Sequence, residues 1–225
     1  MRVNPDSAPS TPSAPGSGSS SSSSSGRSLT TDARRAQIVA AAIETVAELG
    51  FARASFAQIA KRAKLSSVRL ISYHFQDKED LFQALVDTVQ EAARAAMQPR
   101  IHAHSAPAAQ LAAYIEANLE FLADHPVEVR ALVDVLAGAR REDGSPLVSS
   151  AGFDTPVALL VQHLRNGQLS GDFRPFDAEA MATAIRASID AAANRLSAGD
   201  DFDARAYGRE LVTLFALATR NEEAK

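Results

Sequence analysis

The 225-residue chain contains no cysteine and no tryptophan. The lack of cysteine excludes disulfides, thiolate metal sites and cysteine nucleophiles, and it fits a reducing, cytoplasmic setting. No run approaches the roughly 20 apolar residues of a membrane span. The first residues lack the apolar stretch of a secretory signal. No glycine-rich phosphate loop, nucleophile elbow or recognisable pair of carboxylates is present, so neither an enzyme nor a cofactor is expected. His102-x-His104, with His125 further along, is a weak hint of metal. No Asp or Glu at suitable spacing completes a tetrahedral set, and no metal site is expected. Sustained period-two alternation is missing too, which leaves an all-α reading.

Positive charge is scarce overall, with a net charge of −4, but it is not spread evenly. Residues 27–78 carry nine basic and four acidic side chains, a balance of +5, whereas residues 79–225 carry −9. A basic head on an acidic body suits a protein that meets nucleic acid one way round, through phosphates. Residues 1–30 are rich in Ser, Pro, Ala and Gly, with an unbroken serine run from Ser19 to Ser25. Such a stretch buries too little apolar area to offset chain entropy and is expected to be a disordered tail.

Within the basic head, Ser55 to Phe75 reads as two short helices joined by a tight turn. Ser55 and Gln58 have the spacing of a capping box. Phe56, Ile59, Ala60 and Ala63 fall on one face of the first helix. Ser66 is a second candidate cap, and Val68, Ile71 and Phe75 form the apolar stripe of the second helix. Ser67, Arg69, Ser72, Tyr73 and His74 are left facing out. A braced short helix with that outer face fits a helix-turn-helix entering a major groove; an ordinary αα-hairpin has the same pattern of apolar residues. Upstream, Ile38, Ala42, Val46 and Leu49 make a helix stripe closed by Gly50, which suits a positive φ. Downstream, Asp77 is placed to cap a further helix, with Glu79 and Asp80 in its first turn.

The ordered set RRAQIVAAAIETVAELGF, FAQIAKRAKLS and LISYHFQDKEDLF resembles the N-terminal DNA-binding domain of the TetR family of transcriptional regulators, over roughly residues 32–87. The resemblance implies a head of three helices over residues 31–78. It also implies a ligand-binding and dimerisation body of about six over residues 79–225. Two departures stand out. Lys64 occupies the turn position where the family has glycine. The segment Ser66 to Phe75 is one residue longer than the family pattern, so either Ser72 or Tyr73 occupies the slot of the family's tyrosine. If the helix ran continuously through the insertion, it would turn the outer face by about 100°.

On this reading the DNA-binding residues are Ser55, Ser66, Ser67, Val68, Arg69, Ser72, Tyr73, His74 and Lys78. Arg69 is the candidate for a base edge, guanine in particular. Ser55, Ser67, Tyr73, His74 and Lys78 are candidates for phosphate. Arg53, Lys61 and Lys64 add to the positive field.

In the body, helices are expected over Asp77 to Met97, ended by Pro99, then 106–123, 127–140, 155–166, 177–196 and 203–220. The family implies an effector pocket. Its candidate lining is Ile115, Leu119, Leu122, Leu136, Leu160, His163 and Met181, each also a natural core residue. The aliphatic character suits a small apolar effector. The last two helices are the expected homodimer surface. There Ala180, Ala184, Ala187, Ala191 and Ala192 allow close approach, and Ile185, Ile189, Leu211, Leu214, Phe215 and Ala218 add apolar area. The expected partners are therefore a double-stranded operator and a second copy of the chain, with repression as the default output. Two other classes fit the same sequence: a helical regulator controlled by a protein partner, and a helical enzyme or carrier with an incidental hairpin.

Overall fold

The computed structural model describes residues 22–140, 143–148 and 151–222. The tail expected over 1–30 lies outside the described residues as far as residue 21. Residues 22–30 belong to the first helix, α1 (Ser22–Leu49). A single 3₁₀ turn follows (Phe51–Arg53), then α2 (Phe56–Arg62), α3 (Arg69–His74) and α4 (Lys78–His102). The body adds α5 (Pro107–Asp124), α6 (Pro126–Gly138), α7 (Ala151–Leu169), α8 (Ala178–Ala198) and α9 (Ala204–Thr219). Among the described residues there is no strand, and the all-α expectation holds. Two isolated bridges, Arg140 with Pro146 and Phe173 with Arg220, pin loops.

The helix starts follow from local chemistry. Ser55, Asp77, Asp177 and Asp203 each accept an N–H from the first turn of the helix they precede. Each such cap contributes about 1 kcal/mol. Pro107 and Pro126 stand at the first position of α5 and α6, where a missing N–H costs nothing. Pro99 does not end α4 as expected. It sits in the last turn, and the helix continues to His102. So close to the end, proline's local distortion is tolerated, and the Pro99 carbonyl still accepts the Ala103 N–H.

One apolar core runs through head and body. In the head, Ile38, Val39, Ala42 and Val46 of α1 share it with Ile59, Ile71, Phe75 and Phe82. The turn after α1 also docks on the body, since Asp134 of α6 accepts the Phe51 N–H. The Phe51 ring packs edge-on against Phe82 at 4.9 Å. Gly50 makes this turn possible with φ 84° and ψ 153°, a conformation open in practice only to glycine. Gly50→Ala is therefore expected to cost about 1–3 kcal/mol, read as a lower denaturation midpoint with an unchanged m-value.

The body divides the apolar residues of α8 and α9 into two sets. Ile185, Ile189, Ala192, Leu211 and Phe215 are buried within the chain. These five, expected on the dimer surface, instead belong to the core of the single chain. Ala180, Ala184, Ala187 and Ala191, at helical spacing, are exposed along the opposite side of α8. On α9, Leu214 and Leu217 are 55% and 60% exposed.

Candidate nucleic-acid interface

The helix-turn-helix is built by a turn that the sequence makes unusually explicit. Ala63 is the C-cap of α2, and Lys64 after it takes φ 52°. The Leu65 N–H reaches the Ala60 carbonyl at 2.9 Å, and the Lys64 N–H reaches Lys61 at 3.1 Å. This pair of bonds is the Schellman closure, normally made with glycine. Lysine bears the left-handed strain here, and it is exposed, as is Lys61.

Ser66 does not cap the second helix. The chain from Leu65 to Val68 is not α-helical, and α3 begins only at Arg69, where the Ser67 hydroxyl accepts the Arg69 N–H at 3.1 Å. The extra residue is thus taken up in the turn, before any helical phase is set. The 100° displacement expected of a continuous helix does not arise. For the same reason Val68 is not part of the buried stripe; it is 40% exposed, on the outer side with Ser67. Ile71 and Phe75 alone anchor α3, at 0% and 1% exposure.

What remains outside is the set expected to meet DNA. Ser66, Ser67, Arg69 and Ser72 are exposed, and Tyr73 is 79% exposed. His74 is half-buried, edge-on to the Tyr73 ring. Ser55 is exposed but already holds the Gln58 N–H at 3.3 Å. Arg35 of α1 fixes this array from behind. Its guanidinium donates to the His74 carbonyl at 2.6 Å and to Asp80 at 3.1 Å, and it lies 4.1 Å over the Phe75 ring. Asp80 also accepts the Gln76 N–H, and that bond, with Arg35 behind it, holds its carboxyl below the usual aspartate range. Gln37 of α1 donates to the Ala63 carbonyl at 2.8 Å, tying down the end of α2.

The basic residues of the head fall into two groups. Arg35 is committed to Asp80, and Arg62 bridges Glu44 and Glu48. Lys61, Lys64, Arg53 and Arg69 are exposed. Lys78 is a special case. Its ammonium stands 4.5 Å from the Phe51 ring centre and 5.4 Å from Phe82, and desolvation pulls its pKa down. It opens α4, whose first N–H groups and dipole also favour an anion.

The effector candidates of the body are dispersed through its packing. Ile115, Leu119, Leu122 and Leu160 are buried, while Leu136 and Met181 are half-buried against the core. Leu119 meets α9 where Gly208 lies; a Cβ on Gly208 would stand 3.1 Å from that of Leu119. His163 finds its partner in the Pro107 carbonyl, 2.9 Å from Nε2, and so ties α7 to α5.

Residues 38–85 match the family model of bacterial regulatory proteins, TetR family. Over these residues the chain has the TetR-family DNA-binding domain. It is 31% identical over 111 residues to the HTH-type transcriptional regulator BetI of Cronobacter sakazakii, covering 48% of this chain and 54% of that protein. It is 38% identical over 89 residues to the BetI of Ectopseudomonas mendocina, covering 39% and 45%. The chain thus spans about half the length of these curated relatives. A TetR-family regulatory protein from Rhodococcus RHA1 superimposes with a TM-score of 0.64 at 24% identity, covering 80% of this chain and 94% of that one. AibR, solved with isovaleryl coenzyme A and operator DNA, gives 0.66 at 16% identity over 80% and 97%. The TetR fold accordingly extends over both head and body.

Proposed function

We propose that this TetR-family chain is a DNA-binding transcriptional regulator, a repressor that grips a pseudo-palindromic operator as a homodimer and is released by a small molecule. The observation that carries the reading is the outer face of α3. Arg69, Ser72 and Tyr73 project from a helix whose inner residues are fully buried and whose end is clamped by Arg35. A six-residue helix reads few base pairs, so two copies at groove spacing supply specificity that one lacks.

In this mechanism Arg69 donates to a guanine edge. Ser67, Tyr73 and His74 donate to phosphates flanking it, with Ser55 nearby, and Ser66, Val68 and Ser72 line the approach. Lys78 and the start of α4 receive a further phosphate, and Lys61, Lys64 and Arg53 supply field. The exposed alanine stripe of α8 and Leu214 and Leu217 of α9 form the dimer contact. The small residues let two helix backbones approach closely. An effector held in the body releases DNA by binding more tightly to a subunit arrangement that misfits the operator. Asp134, bonded to the Phe51 N–H, is one physical link through which α6 and the head move together.

Ala187→Arg tests the dimer. The position is exposed, so the subunit should fold normally, while a charge at the centre of the stripe blocks self-association. Light scattering is expected to report a monomer, and operator affinity is expected to fall at least about 100-fold, since a single half-site remains. A variant that stays dimeric and binds normally would place the contact elsewhere.

A further inference from the structure

A polar cluster lies inside the body where α5 meets α8, and neither the fold nor the operator contact uses it. Tyr114 and Asn118 stand one turn apart on α5, and Arg186 faces them from α8. The Tyr114 hydroxyl is shut off from solvent and has no hydrogen-bond partner among the described residues. Asn118 is buried, with its Nδ2 donating to the Tyr114 carbonyl at 2.8 Å. Arg186 donates through Nε and Nη2 to Asp190 at 2.9 and 2.5 Å. Its Nη1 reaches the Asn118 Oδ1 only at 3.5 Å, the outer limit of a hydrogen bond. Burial opposes the Arg186 charge, but Asp190 and the adjacent Tyr114 outweigh it and keep the guanidinium firmly protonated.

A count of donors and acceptors gives the cluster a direction. The Tyr114 O–H has nothing to donate to, and Arg186 Nη1 has only a long contact. The acceptors at hand are the Asn118 Oδ1, which Arg186 reaches only at long range, and the Tyr114 oxygen beside the guanidinium, which leaves the phenol proton itself unused. A buried hydroxyl left in this state is costly, and native interiors rarely tolerate one without an occupant. The missing piece is an oxygen acceptor, best an anionic one, because an arginine fork and a phenol donate most strongly to a carboxylate. The residues next in sequence to its members, Ile115, Leu119 and Ile185, are aliphatic and fully buried.

We infer that Tyr114 and Arg186, with Asn118 beside them, form the head-group site of an effector, and that the effector is an aliphatic carboxylate. The inference rests on the proposed effector-released regulator and narrows its ligand from apolar to amphiphilic.

The test uses the full chain and a series of saturated carboxylates from acetate to dodecanoate, with octanol and octylamine as controls of matched chain. Binding is read by thermal shift and by tyrosine difference absorbance, which no tryptophan obscures. At least one carboxylate is expected to raise Tm and perturb the tyrosine band, and the matched alcohol and amine are expected to bind at least about tenfold more weakly. Tyr114→Phe and Arg186→Lys are each expected to weaken that carboxylate about tenfold or more. Tyr114→Phe should itself melt at the wild-type temperature, because the lost hydroxyl has no protein partner.

Equal carboxylate binding in wild type and both variants would overturn the assignment, as would controls that bind as tightly. No response to any carboxylate by protein that still binds its operator would also overturn it, leaving the regulator reading intact. A Tyr114→Phe protein that melts lower and shows no carboxylate response would identify a structural, water-satisfied cluster instead. Loss of operator binding by the wild-type protein would instead count against the regulator reading itself.

Discussion

Arg69→Ala is expected to weaken operator binding by about 1–3 kcal/mol, roughly 5- to 150-fold, and to relax preference at one base pair in each half-site. The reasoning starts from the turn. Because the extra residue is absorbed between Leu65 and Val68, Arg69 is the first residue of α3, the end that points into a groove in helix-turn-helix docking. Its backbone N–H is held by Ser67, so the side chain leaves from a fixed base. It is exposed, unlike Arg35 and Arg62, which already serve carboxylates. Removing it should leave folding untouched and should barely change binding to random duplex. Lys78→Ala gives the contrast. Its contact is with phosphate, so operator and random DNA should weaken together, and the salt slope should fall by about one. Equal losses on both duplexes for both variants would contradict this division of roles.

Gly167→Ala is expected to destabilise the body by about 1–3 kcal/mol, seen as a Tm several degrees lower. Helix propensity alone predicts the opposite, since alanine inside a helix is worth up to about 1 kcal/mol more than glycine. Packing decides the sign. A Cβ at Gly167 would lie 2.2 Å from Cδ2 and 2.5 Å from Cε2 of Phe173. Phe173 is 2% exposed, and its ring cannot swing into solvent. Its own N–H is bonded to the Gly167 carbonyl at 3.0 Å, and the next residue's N–H to Thr219. The ring therefore cannot retreat without disturbing the tie to the end of α9. Adding Phe173→Leu to Gly167→Ala should recover part of the loss, a coupling that two independent sites would not show. A single variant as stable as wild type would mean that α7 yields more easily than this packing allows.

These two positions show where sequence is informative. The head was readable because its signals are local. The capping residues Ser55 and Asp77, the glycine after α1 and the buried Ile71 and Phe75 all act within a few residues of themselves. The errors were local too. Ser66 reads as the cap and Val68 as part of the apolar stripe of a helix that in fact starts at Arg69, because serine caps and turns look alike in a sequence. Pro99 reads as a stop, but a proline in the last turn does not end α4.

The body resisted for a different reason. α8 carries alanines on one side and isoleucines on another, and either set could meet a partner copy. Only the packing of the other helices shows that Ile185 and Ile189 face inward while Ala184 and Ala187 do not. Gly167 and Phe173 lie on separate segments, and no pattern foretells their contact. Arg186 and Tyr114 carry no motif that sets them apart in the sequence. Arginine and tyrosine on amphipathic helices usually mark a solvated edge, and the one available sign is the four-residue spacing that puts Tyr114 and Asn118 on one face of α5.

The most direct test of the central claim is a binding titration of the purified chain on the DNA upstream of its own gene and, after selection from a random library, on the best selected duplex. Each is compared with an unrelated duplex at two salt concentrations. The account predicts a discrete complex with two subunits per site on a pseudo-palindromic sequence. It should be at least about 1,000-fold tighter than the complex on unrelated DNA, with affinity for both falling steeply as salt rises. Binding that never exceeds the unrelated duplex, even after selection, would contradict it and leave α2 and α3 as a structural hairpin.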